Sequence, residues 1–265
     1  MPELPEVETV VRALRPHLVG RRIVSARFSC LRILRGQREA MKAGVEGRCV
    51  TSVSRFGKHI VIALDEGASY LAVHLGMTGR LLIARKPGPY THAQFRLDKG
   101  LMIYDDPRQF GRIEVSEKPP LRIQKLGPEP LELDAQGFVE LLRGRQAMVK
   151  PLLLNQRFLR GLGNIYTDEA LFRAGIHPRA IASQLSRRRA LRLHGAIVDV
   201  LSAAIEQGGS SVSDYVDAEG RKGFFQFLHR VYQKTGQPCT KCGALIRRTL
   251  VAQRGTHFCP RCQRP

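Results

Sequence analysis

Four cysteines near the end of the chain form two closely spaced pairs. Two residues separate Cys239 from Cys242, two separate Cys259 from Cys262, and sixteen residues lie between the pairs. Two-residue spacing lets a tight turn direct both sulfurs at one ion, and four thiolates complete a tetrahedral zinc site with no open position for a substrate. The spacing therefore predicts one structural zinc ion, bound by Cys239, Cys242, Cys259 and Cys262.

The residues around these cysteines are strongly basic. Residues 230–265 contain eight Lys or Arg and no Asp or Glu, and the whole chain has 43 Lys+Arg against 23 Asp+Glu, a formal net charge of +20. This excess predicts a polyanionic partner. It is spread along the chain rather than concentrated in one amphipathic helix, which favours nucleic acid over a membrane surface. Two plainer alternatives remain open: charge that only maintains solubility, and a zinc module that only fastens the C-terminus.

The opening residues and the apolar runs bear on the compartment. The first residues are acidic and lack an apolar segment, so we expect no secretory signal. Uninterrupted apolar runs are far shorter than the roughly 20 residues that a membrane helix needs. We therefore expect a cytoplasmic protein that associates with the nucleoid through DNA. Because the cytoplasm is reducing, we expect the paired cysteines to bind metal rather than to form disulfides.

The elements that position these residues change character along the chain. Helical spacing of apolar residues predicts a first helix over 5–15, which Pro16 and Gly20 end. Short runs rich in β-branched and aromatic residues then predict strands within 50–64, 70–75, 81–84, 95–97 and 101–104, a pattern typical of a β-sandwich or barrel. After a proline-containing linker we expect helices at about 135–143, 147–156, 164–174 and 186–207, and a polar loop over 208–223. The predicted class is an α+β multidomain protein.

Several motifs, in order along essentially the whole chain, carry a family resemblance. They are Pro2-Glu3-Leu4-Pro5-Glu6-Val7-Glu8, Gly57-Lys58, His74-Leu75-Gly76-Met77, Asp106-Pro107-Arg108-Gln109-Phe110-Gly111, Gly161-Leu162-Gly163-Asn164-Ile165-Tyr166 and the four cysteines. Together they resemble the formamidopyrimidine-DNA glycosylases, bacterial enzymes that remove oxidised purines from DNA. The resemblance implies an N-terminal β-sandwich with flanking helices (1–115), a linker (116–133), a helix–two-turns–helix domain with a lesion-capping loop (134–229) and a zinc finger (230–265).

The resemblance also implies a catalytic set. An N-terminal secondary amine can attack C1′ of the damaged nucleotide, expel the base and form a Schiff base with the sugar. By resemblance Pro2 is this nucleophile after removal of Met1, and Glu3 is the adjacent acid/base. Lys58 would assist β-elimination and touch phosphate. Arg254, at the hairpin turn between the cysteine pairs, would bind the phosphate near the lesion and assist δ-elimination.

The resemblance also implies a set of DNA-binding residues. Met77 and Phe110 would fill the space left by the extruded base, and Arg108 would pair with the orphaned partner base. Gln109 stands where many relatives carry a second basic residue, which weakens one expected backbone contact. Expected backbone contacts are His92, Arg108, Arg145, Lys150 and Asn164. Further DNA contacts are expected at His74 and, in the capping loop, at Ser210, Val212, Ser213, Asp214 and Tyr215.

The sequence thus predicts a bifunctional base-excision-repair enzyme, a DNA glycosylase and AP lyase. Its expected partner is double-stranded DNA with oxidised bases or abasic sites, and we expect a monomer with no membrane contact and no organic cofactor. Two alternatives remain. An endonuclease VIII-like glycosylase shares the proline chemistry but prefers oxidised pyrimidines; Leu4 and the Met77/Phe110 wedge favour the purine enzyme. A non-catalytic zinc-finger protein explains the charge and cysteines but gives no reason for Pro2-Glu3.

Overall fold

The structure, a computed structural model, describes residues 1–212 and 215–264. The chain divides into two compact units. The first comprises Met1–Lys125 and Gln207–Phe224, and the second comprises Leu126–Glu206 and the chain from Phe225 onward. Within the described residues, no helix combines the length and apolar composition that crossing a bilayer requires.

The first unit contains two four-stranded antiparallel sheets and confirms the predicted β-rich N-terminal part. One sheet has the order β1-β6-β7-β5 and the other the order β2-β3-β4-β8. The strands are β1 Ile23–Phe28, β2 Val50–Phe56, β3 His59–Leu64, β4 Ser69–His74, β5 Arg80–Ala84, β6 Thr91–Leu97, β7 Leu101–Asp105 and β8 Arg112–Ser116. The core contains buried residues of both sheets, including Phe95 and Tyr104 from one and Ile62 and Val73 from the other. Core residues occupy alternate positions of these strands, for example Ile60, Ile62 and Leu64 of β3, and this alternation fixes the register.

Helix α1, Leu4–Leu18, covers this core with an apolar face that includes Val7, Val10 and Leu14, all at most 1% exposed. The expected end at Pro16 was wrong, because the helix continues through it. Proline lacks only its own N–H donor, and so late in a helix the loss is local. Leu18 is fully buried, and the Val19 N–H donates to the Arg15 carbonyl at 3.1 Å, so packing and a backbone bond sustain the last turn.

The segment Gln207–Phe224 belongs to the first unit, although the sequence placed it with the helical domain. Ala218 is fully buried in the core of that unit, and its carbonyl accepts a hydrogen bond of 2.9 Å from the Ile83 N–H of β5. A polar, glycine-rich sequence gives no sign of such a long-range contact. The predicted linker also differs, because it contains a short helix, α3 Leu121–Gln124.

The second unit is helical and ends in a two-stranded hairpin, as predicted. Its helices are α4 Ala135–Leu142, α5 Val149–Leu154, α6 Asn164–Ala174 and α7 Arg187–Glu206, and its strands are β9 Arg247–Val251 and β10 Arg254–Phe258. Helix α6 is buried on almost every side, packing against α5, α7 and β10. Helix α2, Arg38–Ala43, lies in the first unit.

Candidate functional site

The N-terminal residues of α1 are buried together with part of the 207–224 segment. Pro2 is buried, and Glu3, 3% exposed, caps α1. The Glu6 carboxylate accepts from the Glu3 N–H at 2.8 Å and from the Ser210 N–H at 2.7 Å. The hydroxyl of Tyr215 donates to the Glu6 carbonyl at 3.1 Å. Glu6 therefore joins the predicted acid/base, the residue that follows the predicted nucleophile, to two predicted capping-loop residues.

The close approach of the 207–224 segment to α1 depends on a glycine. Gly209 has a φ of +81°, and a Cβ there would lie 2.8 Å from Glu6 Oε1. Any larger residue would be strained and would also push on the carboxylate that holds Ser210. Val212 is 36% exposed at the rim of this segment. Two further predicted contacts, Ser213 and Asp214, lie outside the described residues.

Lys58 lies in the turn between β2 and β3 and is 6% exposed. Arg55 of β2 donates to the Gly57 carbonyl at 3.4 Å and to Glu8 of α1 at 2.9 Å. Burial by itself would raise the pKa of Glu8, but hydrogen bonds from Arg12 and Arg55 lower it below its ordinary value. The ionised Glu8 thus ties the lysine turn to the helix that begins beside Pro2.

His74, at the end of β4, is paired across the strands with His59. Their ring centroids are 4.9 Å apart, and His74 Nδ1 accepts from the Gly76 N–H at 3.1 Å. Burial, together with the charges of His59 and Lys58, lowers the pKa of His74 to about 3. Burial and the charge of Arg122 lower that of His59 to about 4. Both rings are neutral near pH 7, so His74 can offer a phosphate a hydrogen bond but no charge.

The three predicted wedge residues occupy two adjacent loops organised by one buried carboxylate. Asp106 is fully buried and accepts from the Thr78 hydroxyl at 2.6 Å, the Gly111 N–H at 2.8 Å and the Tyr104 hydroxyl at 3.1 Å. Thr78 follows Met77, and Gly111 follows Phe110. Asp106 therefore holds both loops in place. Its hydrogen bonds offset the free-energy cost of burying a carboxylate.

The wedge side chains themselves are exposed. Met77 and Phe110 are 43% and 42% exposed, and the guanidinium of Arg108 lies 4.7 Å from the Phe110 ring centroid, a cation–π contact. Between Arg108 and Phe110, Gln109 has a φ of +55°, which turns the backbone sharply. Two large apolar side chains exposed on adjacent loops, beside an arginine, favour a contact surface.

The four cysteines are assembled at one point, as the spacing predicts. Their sulfur atoms all lie within 4.8 Å of one another, with Cys242 and Cys259 at 3.5 Å and Cys239 and Cys262 at 3.9 Å. Four thiolates at about 2.3 Å from a tetrahedral zinc ion lie about 3.8 Å apart, so this arrangement fits the metal. The Lys241 and Cys262 N–H groups donate to Cys239 and Cys259 sulfurs at 3.4 Å, as in a zinc knuckle. The described residues therefore form one structural zinc site.

Arg254 is exposed at the first position of β10, directly after a two-residue turn. Both turn residues have positive φ, 46° at Ala252 and 62° at Gln253. That conformation matches a type I′ hairpin but is strained without glycine, so the surroundings must impose it. The adjacent Gly255 carbonyl accepts from Lys150 Nζ at 3.1 Å and from Asn164 Nδ2 at 2.9 Å.

This geometry gives Lys150 contacts that the sequence did not predict. The residue is fully buried, and its ammonium group contacts Asp168 at 2.6 Å as well as the Gly255 carbonyl. The ammonium group therefore holds the Arg254 hairpin through the Gly255 carbonyl, and its phosphate contact stays a prediction. Asn164 lies at the start of α6, where its side chain shares that task. The other backbone contacts differ in setting: Arg145 is exposed, whereas His92 is half-buried, its Nε2 3.0 Å from the Asp106 carbonyl oxygen.

Two buried carboxylates of α6 were missed from the sequence. Asp168 accepts from the His257 N–H of β10 at 2.8 Å, and Glu169 accepts from the N–H groups of residues 230–232 at 2.8–3.0 Å. Burial raises the pKa of Glu169 above its ordinary value. The available signal was two adjacent acidic residues in the middle of a predicted helix of a strongly basic chain. They attach the zinc-bearing part to the helices.

Three family models cover most of the chain. The formamidopyrimidine-DNA glycosylase N-terminal domain matches residues 1–113, the formamidopyrimidine-DNA glycosylase H2TH domain matches 126–216, and the zinc finger found in FPG and IleRS matches 236–265. Two similar curated proteins are the formamidopyrimidine-DNA glycosylases of Solibacter usitatus, 58% identical, and Methylococcus capsulatus, 41% identical; each alignment covers 100% of both chains.

Solved structures agree. The MutM (FPG) protein from Thermus thermophilus aligns with a TM-score of 0.90 at 41% identity, over 99% of this chain and 98% of that one. A Lactococcus lactis FPG mutant in complex with Fapy-dG-containing DNA aligns with a TM-score of 0.92 at 39% identity, over 100% of both. With such identity along its full length and the same domains in the same order, this chain belongs to the formamidopyrimidine-DNA glycosylase family.

Proposed function

We propose that this protein excises oxidised purines from double-stranded DNA and then cleaves the strand at the resulting abasic site. The observation that carries the proposal is the burial of Pro2 and Glu3 at the start of α1, joined through Glu6 to the 207–224 segment. Family membership supports the reaction class, and the similar Lactococcus lactis protein was solved in complex with Fapy-dG-containing DNA. The net charge of +20 supports a polyanionic substrate.

The chemistry starts at the Pro2 nitrogen once Met1 has been removed. Burial disfavours a charged ammonium and so favours the nucleophilic free amine. Attack on C1′ breaks the glycosidic bond, the base leaves with a proton, and the sugar ring opens to an iminium between Pro2 and C1′. Glu3 is positioned to exchange protons with the sugar. Removal of a C2′ proton expels the 3′ phosphate, and a second elimination expels the 5′ phosphate.

Lys58 and Arg254 are the proposed cationic contributors to these eliminations. Lys58 is tied by its turn to α1, which begins beside Pro2. Arg254 is exposed on a hairpin fastened by the zinc site and by Gly255. Each would stabilise the negative charge that develops on a departing phosphate. Zinc holds the hairpin, with all four ligands supplied by cysteine, and takes no part in the bond changes.

Lesion choice follows from the exposed wedge. When the damaged base leaves the stack, Met77 and Phe110 fill the space and Arg108 meets the orphaned base. Arginine has only donors, and cytosine offers O2 and N3 as acceptors, whereas adenine offers one ring acceptor beside an amino group. The enzyme should therefore act on 8-oxoguanine or formamidopyrimidine opposite cytosine much better than opposite adenine.

Borohydride trapping tests the nucleophile, because it reduces the iminium to a stable amine and cross-links enzyme to DNA. We expect cross-linking to 8-oxoguanine duplex by protein that lacks Met1, weak cross-linking by Pro2→Gly, which keeps a terminal amine, and none by protein that retains Met1. Mass spectrometry establishes the N-terminus of each sample. Lys99→Ala, an exposed substitution outside the site, serves as the control and should trap like the wild type.

A panel of lesions tests the substrate class in the same assay. Undiminished trapping by protein with Met1 still attached would reject Pro2 as the nucleophile. Equal excision opposite cytosine and adenine, or a preference for oxidised thymine, would reject the purine assignment and favour an endonuclease VIII-like activity. Arg108→Ala should reduce the discrimination between opposite bases more than it weakens binding to undamaged duplex.

A further inference from the structure

Helix α7 of the second unit begins with an unusual concentration of positive charge. Arg187, Arg188 and Arg189 are its first three residues, and Arg192 follows one turn later. Arg187, Arg188 and Arg192 are exposed, whereas the opposite face of the helix, including Leu193 and Ile197, is buried in the core. We call Arg187, Arg188 and Arg192 the α7 arginine surface.

This placement opposes the electrostatics of the helix itself. The N-terminus of a helix carries a partial positive charge, so a cation in the first turn is unfavourable. Arg188 and Arg192 are also four residues apart on one face of the helix, so their like charges repel. The first turn of α7 contains no acidic residue. An arrangement that lowers helix stability at several positions is expected where a site has a function.

The neighbouring segment adds charge of the same sign. The Arg145 carbonyl accepts from the Ser183 N–H at 2.9 Å, just before α7, and Arg187 Nη2 donates to Gln136 Oε1 of α4 at 3.0 Å. Between α4 and α7 lies a cleft of about 220 Å³ whose lining includes Arg143, Glu140 and Arg187. Glu140 is paired with Arg143 at 3.0 Å, so its charge is already balanced.

The residue types of the α7 arginine surface favour phosphate groups over a protein as its partner. Helix α7, every residue of which the structure describes, contains no Trp, Tyr or Phe and exposes no large hydrophobic side chain, so it lacks the aromatic anchors that are enriched in protein interfaces. Arginine guanidinium groups match phosphate oxygens in geometry and charge. The surface also adjoins Arg145, a residue that the sequence already predicted as a backbone contact.

We propose that the α7 arginine surface binds phosphates of the DNA duplex and extends the interface beyond the residues assigned to the reaction. The proposal rests on the proposed function as a DNA enzyme. It predicts that duplex binding draws on these arginines regardless of sequence or damage, because phosphate contacts carry no base information.

The test is a double variant, Arg188→Ala/Arg192→Ala, with Lys86→Ala/Lys99→Ala as a control that removes two exposed cations from the first unit. Fluorescence anisotropy gives the Kd for an undamaged duplex of about 30 bp over a series of KCl concentrations. Each lost phosphate contact lowers the slope of log K against log salt by about 0.9, so the α7 variant should lose about 2 in slope and roughly 10-fold or more in affinity at about 0.1 M salt.

Thermal unfolding separates this effect from misfolding. Alanine suits a helix and relieves the like charges, so the α7 variant should melt at the wild-type temperature or above it. The control should change Kd less than about twofold with the same slope. An α7 variant whose slope and Kd equal those of the control would overturn the inference. If wild-type protein binds duplex through α7 but never excises a lesion, the proposed function fails and the surface stands.

Discussion

Removal of the Asp168 carboxylate should destabilise the second unit severely. Asp168 and Lys150 form an ion pair of 2.6 Å in which both side chains are completely buried. Asp168 also accepts from the His257 N–H at 2.8 Å and lies 3.2 Å from His257 Nδ1. Asp168→Ala would leave the Lys150 ammonium buried without its carboxylate and the His257 N–H without this acceptor.

The magnitude follows from the burial of the pair. Breaking a buried ion pair by removing one partner typically costs about 3–5 kcal/mol, because the remaining charge is not solvated. For a folded unit of this size each kcal/mol corresponds to a few degrees, so Tm should fall by roughly 10 °C. Calorimetry of Asp168→Ala beside wild type measures the fall.

A double variant, Lys150→Met/Asp168→Leu, separates the effect of the ion pair on stability from its effect on the position of the Arg254 hairpin. Replacing a buried pair by apolar side chains is often neutral or stabilising, so the double variant should recover part of the lost Tm, the remainder being due to the His257 N–H that still lacks its acceptor. It still lacks the bond from Lys150 to the Gly255 carbonyl, so the Arg254 hairpin should stay loose and duplex affinity should stay low. A loss below about 1 kcal/mol in Asp168→Ala, or a double variant no more stable than the single one, would refute this reasoning.

Two further predictions concern metal and pH. Cys242→Ser, or removal of zinc by a chelator, should loosen the β9–β10 hairpin and weaken duplex binding by orders of magnitude. The reason is that β9 buries little apolar surface, so zinc binding supplies the folding free energy of the hairpin. Duplex binding that is unchanged after measured zinc loss would contradict this prediction. Because the folded-state pKa values of His59 and His74, about 4 and about 3, lie below the ordinary value near 6.5, the unfolded chain binds more protons in acid. Stability should therefore fall as pH drops from about 6.5 towards 4, and His74→Asn should flatten that decline in thermal melts; an equally steep decline in the variant would count against it.

The sequence by itself determined the features that depend on short-range patterns. Two-residue cysteine spacing defines a metal knuckle locally, so the zinc site was correctly predicted before any fold was known. Apolar spacing likewise indicated α4 to α7, and ordered motifs indicated the family. These signals need only neighbours along the chain. The end of α1 shows the limit: Pro16 is a local stop signal, but the burial of Leu18 overrides it.

Only the tertiary structure decided which polar residues meet. Glu6 and Ser210 are 204 positions apart, and Asp168 and His257 are 89 positions apart, so no local pattern could pair them. Lys150 shows the same point, because its burial and its ion pair with Asp168 give no signal in the sequence of a basic chain. A polar group is stable inside a protein only with a hydrogen-bonding partner, and that partner is set by the packing of distant elements, which a linear sequence does not display.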